Sequence, residues 1–482
     1  MAQGSGPGAN PPPGRVGGLA GWLPGWAPDD RRFWREEGSK RAWQTLLLTT
    51  FSLTASFATW FVFSAVAVRL NSVGFQFDTM QLFWLTAMPG LSGGLLRLVH
   101  SFLIPIYGTR LTVTTATFLK VFPMLWLGFA VQDPQTPYLS FLSIAFLCGM
   151  GGGDFSSFMP STSVFFPKRL QGTALGLQAG VGNLGVSIVQ FITPWIIGFP
   201  LLSAFGGPQT FVKGAVQKSV WLQNAAFWYV PYLVLASVLC AMFLRSVPGK
   251  KPTVGAMVKN MVSDKYVWFC VVTYIMTFGS FSGLAAAFPL MIKSIYGGFP
   301  DAPDPLAYAF LGPLVGSVVR FVGGPFADRF GGSVWTQVSG AGLVIGCLAL
   351  VFGGYLTPTG LEQFPGFVVV MLWLFLMAGI GNFATFRQYP IIFAYDPQKG
   401  AQVLGWTGAW AAFGPLLFSS LIGASISTFG SANAFFWGAG AFYVVGSAIN
   451  YWFFTRPGQE RFDFGTWKGT WWDKRPQQGP VA

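Results

Sequence analysis

Two arginines lie in apolar segments of the sequence that contain no acidic residue. Arg97 stands in PGLSGGLLRLV (89–99) and Arg320 in GPLVGSVVRFV (312–322), each four residues after a glycine. An arginine side chain stays charged because its pKa is above about 12, so two of them in an apolar interior require an anionic partner. The planar fork of donors suits a small planar oxyanion better than a spherical halide. The pair therefore predicts an anion-binding site; pairing with carbonyls at helix ends is the structural alternative.

A second candidate region combines small residues with one amide side chain. In GLQAGVGNLGVSIVQ (176–190), Gly180 and Gly182 are followed by Asn183. Small residues let helices approach closely, and a missing Cβ also lets a ligand reach the backbone. As a bare pattern, the glycines indicate close helix packing before ligand contact. Asn183 adds a neutral donor without adding charge.

The composition indicates which class of protein holds these residues. Of the 482 residues, 52% are hydrophobic and 9% are charged, whereas a soluble domain has about 25% charged residues. The four cysteines lie in apolar stretches without a C-x-x-C pair, and the single histidine, His100, cannot form a zinc site. We therefore expect an all-α integral membrane protein that is not an enzyme, without catalytic residues, metal or cofactor.

A membrane-spanning helix needs about 20 apolar residues, and long apolar runs recur along the whole chain. Twelve spans are predicted: 43–68, 80–106, 111–131, 138–165, 171–199, 225–244, 266–292, 305–325, 334–355, 365–393, 401–428 and 432–454. An even number of spans puts both termini on the same side of the membrane.

The basic residues predict which side that is. On the side of the termini the tails and loops hold 21 Lys and Arg, against four on the other side, Arg69, Lys213, Lys218 and Lys293. Positive residues concentrate in cytoplasmic loops, so both termini are expected in the cytoplasm. The net charge of +13 then follows from topology, and we expect no nucleic-acid partner.

Three segments of the first half reappear in the second half. The pairs are 89–99 with 312–322, GGGDFSSFMP (151–160) with GIGNFATFRQ (379–388), and ALGLQAGVGNLG (174–185) with VLGWTGAWAAFG (403–414). The repeat predicts two pseudo-symmetric six-helix halves with a site at their interface, which is the major facilitator fold. The predicted divisions are a cytoplasmic tail 1–42, the halves 43–244 and 266–454, a cytoplasmic linker 245–265 and a second cytoplasmic tail 455–482.

Two further groups of charged residues carry expectations. GGPFADRFGG (323–332) resembles the cytoplasmic loop motif of major facilitators, in which Asp328 and Arg329 would latch neighbouring helices. Asp154 is the clear carboxylate within the spans, and Arg387 lies in the repeat-related helix. Because buried charges normally pair, an ion pair between Asp154 and Arg387 is the first interpretation, and a titratable Asp154 that couples proton movement to anion movement is the alternative.

The chain resembles the nitrate/nitrite porters of the NarK type over nearly all of its length. The segments that carry the resemblance include WAPDDRRFW (26–34), QLFWLTAMPGLSGGLLR (81–97), SVFFPKRLQGTALGLQAGVGNLGVSIVQ (163–190), YIMTFGSFSG (274–283) and FADRFGG (326–332). The stretch 163–190 resembles the nitrate signature of that family. The second signature region, GWTGAWAAFGP (405–415), is poorer in glycine than the family pattern.

The resemblance implies a nitrate held by Arg97 and Arg320. It further implies contacts to the anion from Tyr274, Phe278, Asn183 and Phe155, and from the glycines Gly180 and Gly182. Tyr274 and Phe278 are four residues apart, so on a helix they share one face. An aromatic ring there would cover the flat face of nitrate while Arg and Tyr donors bind its edge.

These expectations combine into one function. We expect a monomeric inner-membrane antiporter that imports nitrate and exports nitrite by alternating access, with the two anions and the lipid bilayer as its partners. The alternative is a proton-coupled nitrate or nitrite symporter that uses Asp154.

Overall fold

The computed structural model describes residues 19–201, 205–213, 216–248 and 253–457, and the short antiparallel strands Gly465–Thr466 and Gly469–Thr470. Residues 1–18 of the predicted N-terminal tail and most of the predicted C-terminal tail therefore lie outside the described residues. Helices dominate the described chain, because only a helix satisfies every backbone hydrogen bond within a single apolar segment.

The described residues contain ten helical stretches that are long and apolar enough to cross a bilayer. One of them, Thr79–Ala130, has 52 residues and would measure roughly 78 Å at ~1.5 Å per residue, over twice the ~30 Å hydrocarbon core. Gly108 folds this stretch back on itself, with a φ of +78° that favours glycine. Together with Asn433–Asn450, this gives the twelve crossings that the sequence predicts.

The first six crossings form the N-terminal half. They are Ser39–Trp60 with Val62–Leu70; Thr79–Leu119 as far as Gly108; the rest of that helix with Val121–Ala130; Tyr138–Cys148, Met150–Gly153 and Phe155–Ser163; Lys168–Ile196; and Asn224–Phe227 with Tyr229–Phe243. The strands Gln209–Lys213 and Val216–Val220 form an antiparallel hairpin between the fifth and sixth crossings.

The last six crossings form the C-terminal half. They are Lys265–Tyr274, Ile275–Gly279 and Ser280–Tyr296; Pro305–Ala309 with Leu311–Val322; Gly332–Phe352; Phe364–Ile392; Pro397–Ala411 with Gly414–Phe429; and Asn433–Asn450 with Tyr451–Thr455. Among the described residues, two short α-helices lie between crossings, Val254–Val262 in the linker and Gly324–Phe330 in the loop motif. We call their side the linker face, and the side of the hairpin the hairpin face.

The two halves meet through the second and eleventh crossings and through the fifth and eighth. Gly90 of the second crossing lies against the backbone of Leu416 in the eleventh, where a Cβ would not fit. Ser187 of the fifth crossing donates a hydrogen bond to the carbonyl of Phe310 at 2.9 Å. These contacts bring the helices that carry Arg97 and Arg320 to the same interface.

Candidate anion site

Arg97 is completely buried and contacts both halves of the molecule. Its Nε donates to the carbonyl of Gly152 at 2.8 Å, in the fourth crossing, and its Nη1 donates to the carbonyl of Gly408 at 2.7 Å, in the eleventh. Its Nη2 has no hydrogen-bond partner among the described residues. Two backbone carbonyls thus orient this guanidinium, as expected if it pairs with carbonyls. Among the described residues, however, no carboxylate pairs with it, and its Nη2 donor group stays available.

Arg320 is 7% exposed, and neither Nη1 nor Nη2 has a hydrogen-bond partner among the described residues. Its Cζ lies 4.7 Å from the centroid of the Phe386 ring and 5.8 Å from that of Phe278. The Phe278 ring also lies 5.1 Å from the Cζ of Arg97. The two arginines therefore share one aromatic compartment, in which their like charges repel each other.

Tyr274 and Phe278 form the wall of this compartment on the seventh crossing. Their rings stack with centroids 5.6 Å apart and planes 14° apart, and both residues are 1% exposed. The Tyr274 hydroxyl interacts electrostatically with both guanidiniums. Between the two rings the helix widens into the π-helical turn Ile275–Gly279, a feature that is frequent at functional sites.

Phe155 forms the opposite wall, with its ring centroid 4.9 Å from the Cζ of Arg97. It also meets Phe386 edge-on across the interface of the halves, with centroids 6.5 Å apart. Trp60 adds a third ring, 5.4 Å from the Cζ of Arg97, and is fixed by a 2.9 Å hydrogen bond from its Nε1 to the carbonyl of Pro89. Trp60 and Phe386 were not among the expected site residues, although the repeat aligned Phe386 with Phe158.

Asn183 is fully buried, and neither atom of its amide has a hydrogen-bond partner among the described residues. It lies three residues from Gly180 and four from Ser187, which both contact the eighth crossing, the first at Phe321 and the second at Phe310. Asn183 therefore faces the helix of Arg320. Gly180 and Gly182 serve close packing here, because Cβ atoms would meet Phe321 and Leu53 respectively.

The predicted ion pair between Asp154 and Arg387 is wrong. Asp154 is 1% exposed and forms a buried ion pair with Lys120, which interrupts the third crossing between Leu119 and Val121. Its carboxylate also accepts a 2.6 Å hydrogen bond from Ser56 and lies 3.7 Å from His100 Nδ1. Asp154 thus faces the interior of the N-terminal half, whereas Arg387 lies near the loop motif of the other half.

The loop motif contacts the tenth crossing. The Nε of Arg387 lies 3.3 Å from Oδ1 of Asp328, whose side chain is 78% exposed. The guanidinium of the adjacent Arg329 lies 5.3 Å from the centroid of the Phe330 ring. The contact of Asp328 with a neighbouring helix is of the kind that the motif predicts. The described residues hold no group of three or more potential metal ligands.

Sequence comparison identifies the superfamily to which this architecture belongs. A family model described as "Major Facilitator Superfamily" matches residues 45–395. The chain belongs to this superfamily. Like other major facilitators it is a transporter and not an enzyme, and its fold is similar to that of the solved D-xylose-proton symporter, with a TM-score of 0.61 at 14% identity over 85% of this chain and 96% of that one.

Two curated relatives narrow the placement within the superfamily. The chain is 53% identical over 435 residues to the "Probable nitrate/nitrite antiporter NarK2" of Thermus thermophilus, covering 89% of this chain and 97% of that protein. It is 36% identical over 426 residues to the nitrate/nitrite transporter NarU of Escherichia coli, covering 84% and 90%. The chain is therefore a major facilitator of the nitrate/nitrite porter family, as its resemblance to NarK-type porters implied.

Proposed function

We propose that this protein exchanges nitrate for nitrite, importing the first and exporting the second, at the compartment of Arg97 and Arg320. The observation that carries the proposal is the pair of buried guanidiniums with free donor groups in one aromatic compartment. The names of the two relatives, a probable nitrate/nitrite antiporter and a nitrate/nitrite transporter, agree with this ligand chemistry.

A small flat anion fits the chemistry of the compartment. Guanidinium N–H groups and the Tyr274 hydroxyl bind the edge of a planar oxyanion through charge-assisted hydrogen bonds. The rings of Phe278 and Phe155 cover its faces and exclude water, and Asn183 donates without adding charge. Nitrite is also planar and singly charged, so the same groups serve both anions.

Exchange follows from the electrostatics of the occupied and empty compartment. A bound anion neutralises part of the repulsion between Arg97 and Arg320 and lets the halves close around it. When the compartment is empty, the two positive charges oppose closure, which slows the return of the empty carrier. Carrying one anion inward and the other outward avoids that empty step, and needs no separate energy source.

Proton symport through Asp154 is the weaker candidate. Lys120 lies against the Asp154 carboxylate in a fully buried ion pair, so this carboxylate already has a structural partner within the N-terminal half. We further propose that the protein works as a monomer in the inner membrane, with the linker face and both termini in the cytoplasm. The lipid bilayer is its only other partner in this proposal.

Proteoliposomes that contain the purified chain test this function. Uptake of radiolabelled nitrate is measured with nitrite inside, with an empty lumen, and with an empty lumen under an imposed proton gradient. Exchange predicts strong stimulation by internal nitrite and no response to the proton gradient. Proton-driven accumulation in nitrite-free vesicles, lost in Asp154→Asn, would replace the antiporter by the symporter.

A further inference from the structure

The tenth crossing presents one continuous inner face to the site. Phe375, Gly379, Asn382, Phe386 and Tyr389 follow one another at steps of three or four residues, so they form one stripe along the helix. The members of this stripe that flank Asn382 contact the seventh and eighth crossings. Asn382 is the amide side chain within an otherwise apolar and aromatic row.

The contacts on both sides of Asn382 fix its level in the molecule. On one side, Phe375 meets Phe281 edge-on at 6.1 Å between centroids. On the other, Phe386 lies 6.0 Å from the Tyr274 ring and 4.7 Å from the Cζ of Arg320. The seventh and tenth crossings thus run antiparallel here, and Asn382 lies between these two layers.

The seventh crossing has Phe278 at this level, between Tyr274 and Phe281. The Phe278 ring is the one that both guanidiniums face. On the eighth crossing, Gly379 packs against Gly316, one helical turn before Arg320. Asn382, one turn from both Gly379 and Phe386, therefore borders the Arg320 side of the anion compartment.

The amide of Asn382 has unused hydrogen-bonding capacity. The residue is 1% exposed, and neither Nδ2 nor Oδ1 has a hydrogen-bond partner among the described residues. Buried amides normally have partners, because an unpaired one loses its hydration without compensation. In contrast, the buried Asn450 of the same half donates to the Ser333 carbonyl at 2.8 Å and accepts from Gln388 at 2.9 Å.

We propose that Asn382 is a specificity-determining contact, which donates Nδ2–H to an oxygen of the transported anion and favours nitrate over nitrite. Nitrate has three oxygen acceptors and nitrite has two. In this proposed arrangement Arg97, Arg320 and the donors of the seventh and fifth crossings bind two of the oxygens, so a further donor on the tenth crossing acts on the third oxygen, which only nitrate has. This inference rests on the proposed function, because it names a selectivity element of the same site.

Titration calorimetry of the purified full chain with sodium nitrate and with sodium nitrite tests the proposal. Asn382→Leu removes both polar atoms at similar size, and we expect nitrate to bind about tenfold more weakly, as for one lost hydrogen bond, while nitrite changes by less than about twofold. The same variant should unfold at an equal or higher temperature, since it removes an unpaired buried amide. If the Asn382 amide had only a structural role, its removal would not change the ratio of nitrate affinity to nitrite affinity while the stability is retained.

Two further variants keep the test decisive. Asn382→Asp puts a carboxylate beside Arg320 at nearly unchanged size, and should abolish binding of both anions; normal binding by this variant would overturn the placement. Asn382→Ser, which retains a donor, should recover part of the nitrate affinity and replaces the Leu variant if that one does not fold. Asn450→Leu serves as the matched control, and should lower the unfolding temperature while the affinity ratio stays unchanged.

Two outcomes distinguish this proposal from the proposed function. If wild type binds both anions and Asn382→Leu weakens both equally, or neither, the selectivity role is refuted and the two-arginine site stands. If wild type binds neither anion, the proposed function itself fails.

Discussion

Removing the charge of Asp154 tests the buried ion pair between Asp154 and Lys120, which the structure shows in place of the expected pair with Arg387. In Asp154→Asn, Lys120 loses its carboxylate partner at 0% exposure, and the bond to the carbonyl of Ala116 at 2.7 Å is its remaining hydrogen bond among the described residues. Breaking a buried pair from one side costs about 3–5 kcal/mol, because the remaining charge is left uncompensated. The Ser56 contact does not offset this loss, since a neutral amide accepts that bond less strongly than a carboxylate.

A double-mutant cycle measures this coupling. Lys120→Met alone should also destabilise, whereas Asp154→Asn with Lys120→Met should return to within about 1.5 kcal/mol of wild type, since the pair is then replaced by neutral groups of similar volume. Unfolding can be followed in detergent with a thiol-reactive dye, because all four cysteines are free and buried. Binding of nitrate to the same samples separates loss of fold from loss of site.

Two controls make the outcome specific. Glu37→Gln breaks the ion pair with Arg41, in which the Glu37 side chain is 43% exposed and the Arg41 side chain 37% exposed. This variant should lower the free energy of unfolding by no more than about 1 kcal/mol. Arg387→Gln should not rescue Asp154→Asn, since Arg387 lies in the other half. Wild-type stability of Asp154→Asn, or rescue by Arg387→Gln instead of Lys120→Met, would refute the reasoning.

Two further predictions concern the site and its closure. Arg97→Lys and Arg320→Lys retain the charge but lose the planar fork, so uptake of radiolabelled nitrate should fall by about tenfold or more, or at least ~1.4 kcal/mol; near-normal uptake in either variant contradicts the two-arginine site. On the hairpin face, Nη2 of Arg69 donates to both carboxylate oxygens of Asp304 at 2.7 and 2.6 Å and links the two halves. Arg69→Gln should weaken the contact between the halves on the hairpin face. A cysteine introduced near Asn183 should then react faster with a membrane-impermeant maleimide added from the hairpin face, and an unchanged rate argues against a gating role for the pair.

The fold was readable from the sequence because its determinants are local. Apolar runs of the right length predict crossings, and the recurrence of 89–99 as 312–322 predicts two halves. The break at Gly108 falls between the predicted spans 80–106 and 111–131. Interruptions inside a span were less accessible, since the one at Lys120 leaves no signature in hydropathy.

The site was readable only in part. Arginines are rare within membrane spans, so Arg97 and Arg320 stand out in the sequence as candidate site residues. The chain has 50 Phe and 20 Trp, so its composition does not indicate which aromatic residues, such as Trp60 and Phe386, lie at the site. The pairing of Asp154 was missed because a membrane-spanning helix is apolar on its outer face as well as on its packed face, as exposed Leu139 and Phe146 show, so hydropathy does not orient its charges. Only the three-dimensional structure shows that Lys120 points to Asp154 of the fourth crossing.

The geometry also sets how strongly internal nitrite should stimulate exchange. The two guanidiniums lie 5.1 and 5.8 Å from the centroid of the Phe278 ring, so they are at most about 11 Å apart. At an effective dielectric constant of about 20 their repulsion is then at least roughly 1.5 kcal/mol. If an empty carrier must bear this repulsion while the halves close and a loaded one does not, the empty return is slower by roughly tenfold or more. We therefore expect nitrate uptake into nitrite-loaded vesicles to exceed uptake into empty ones by about that factor, and equal initial rates in the two would show that this repulsion does not limit the empty carrier.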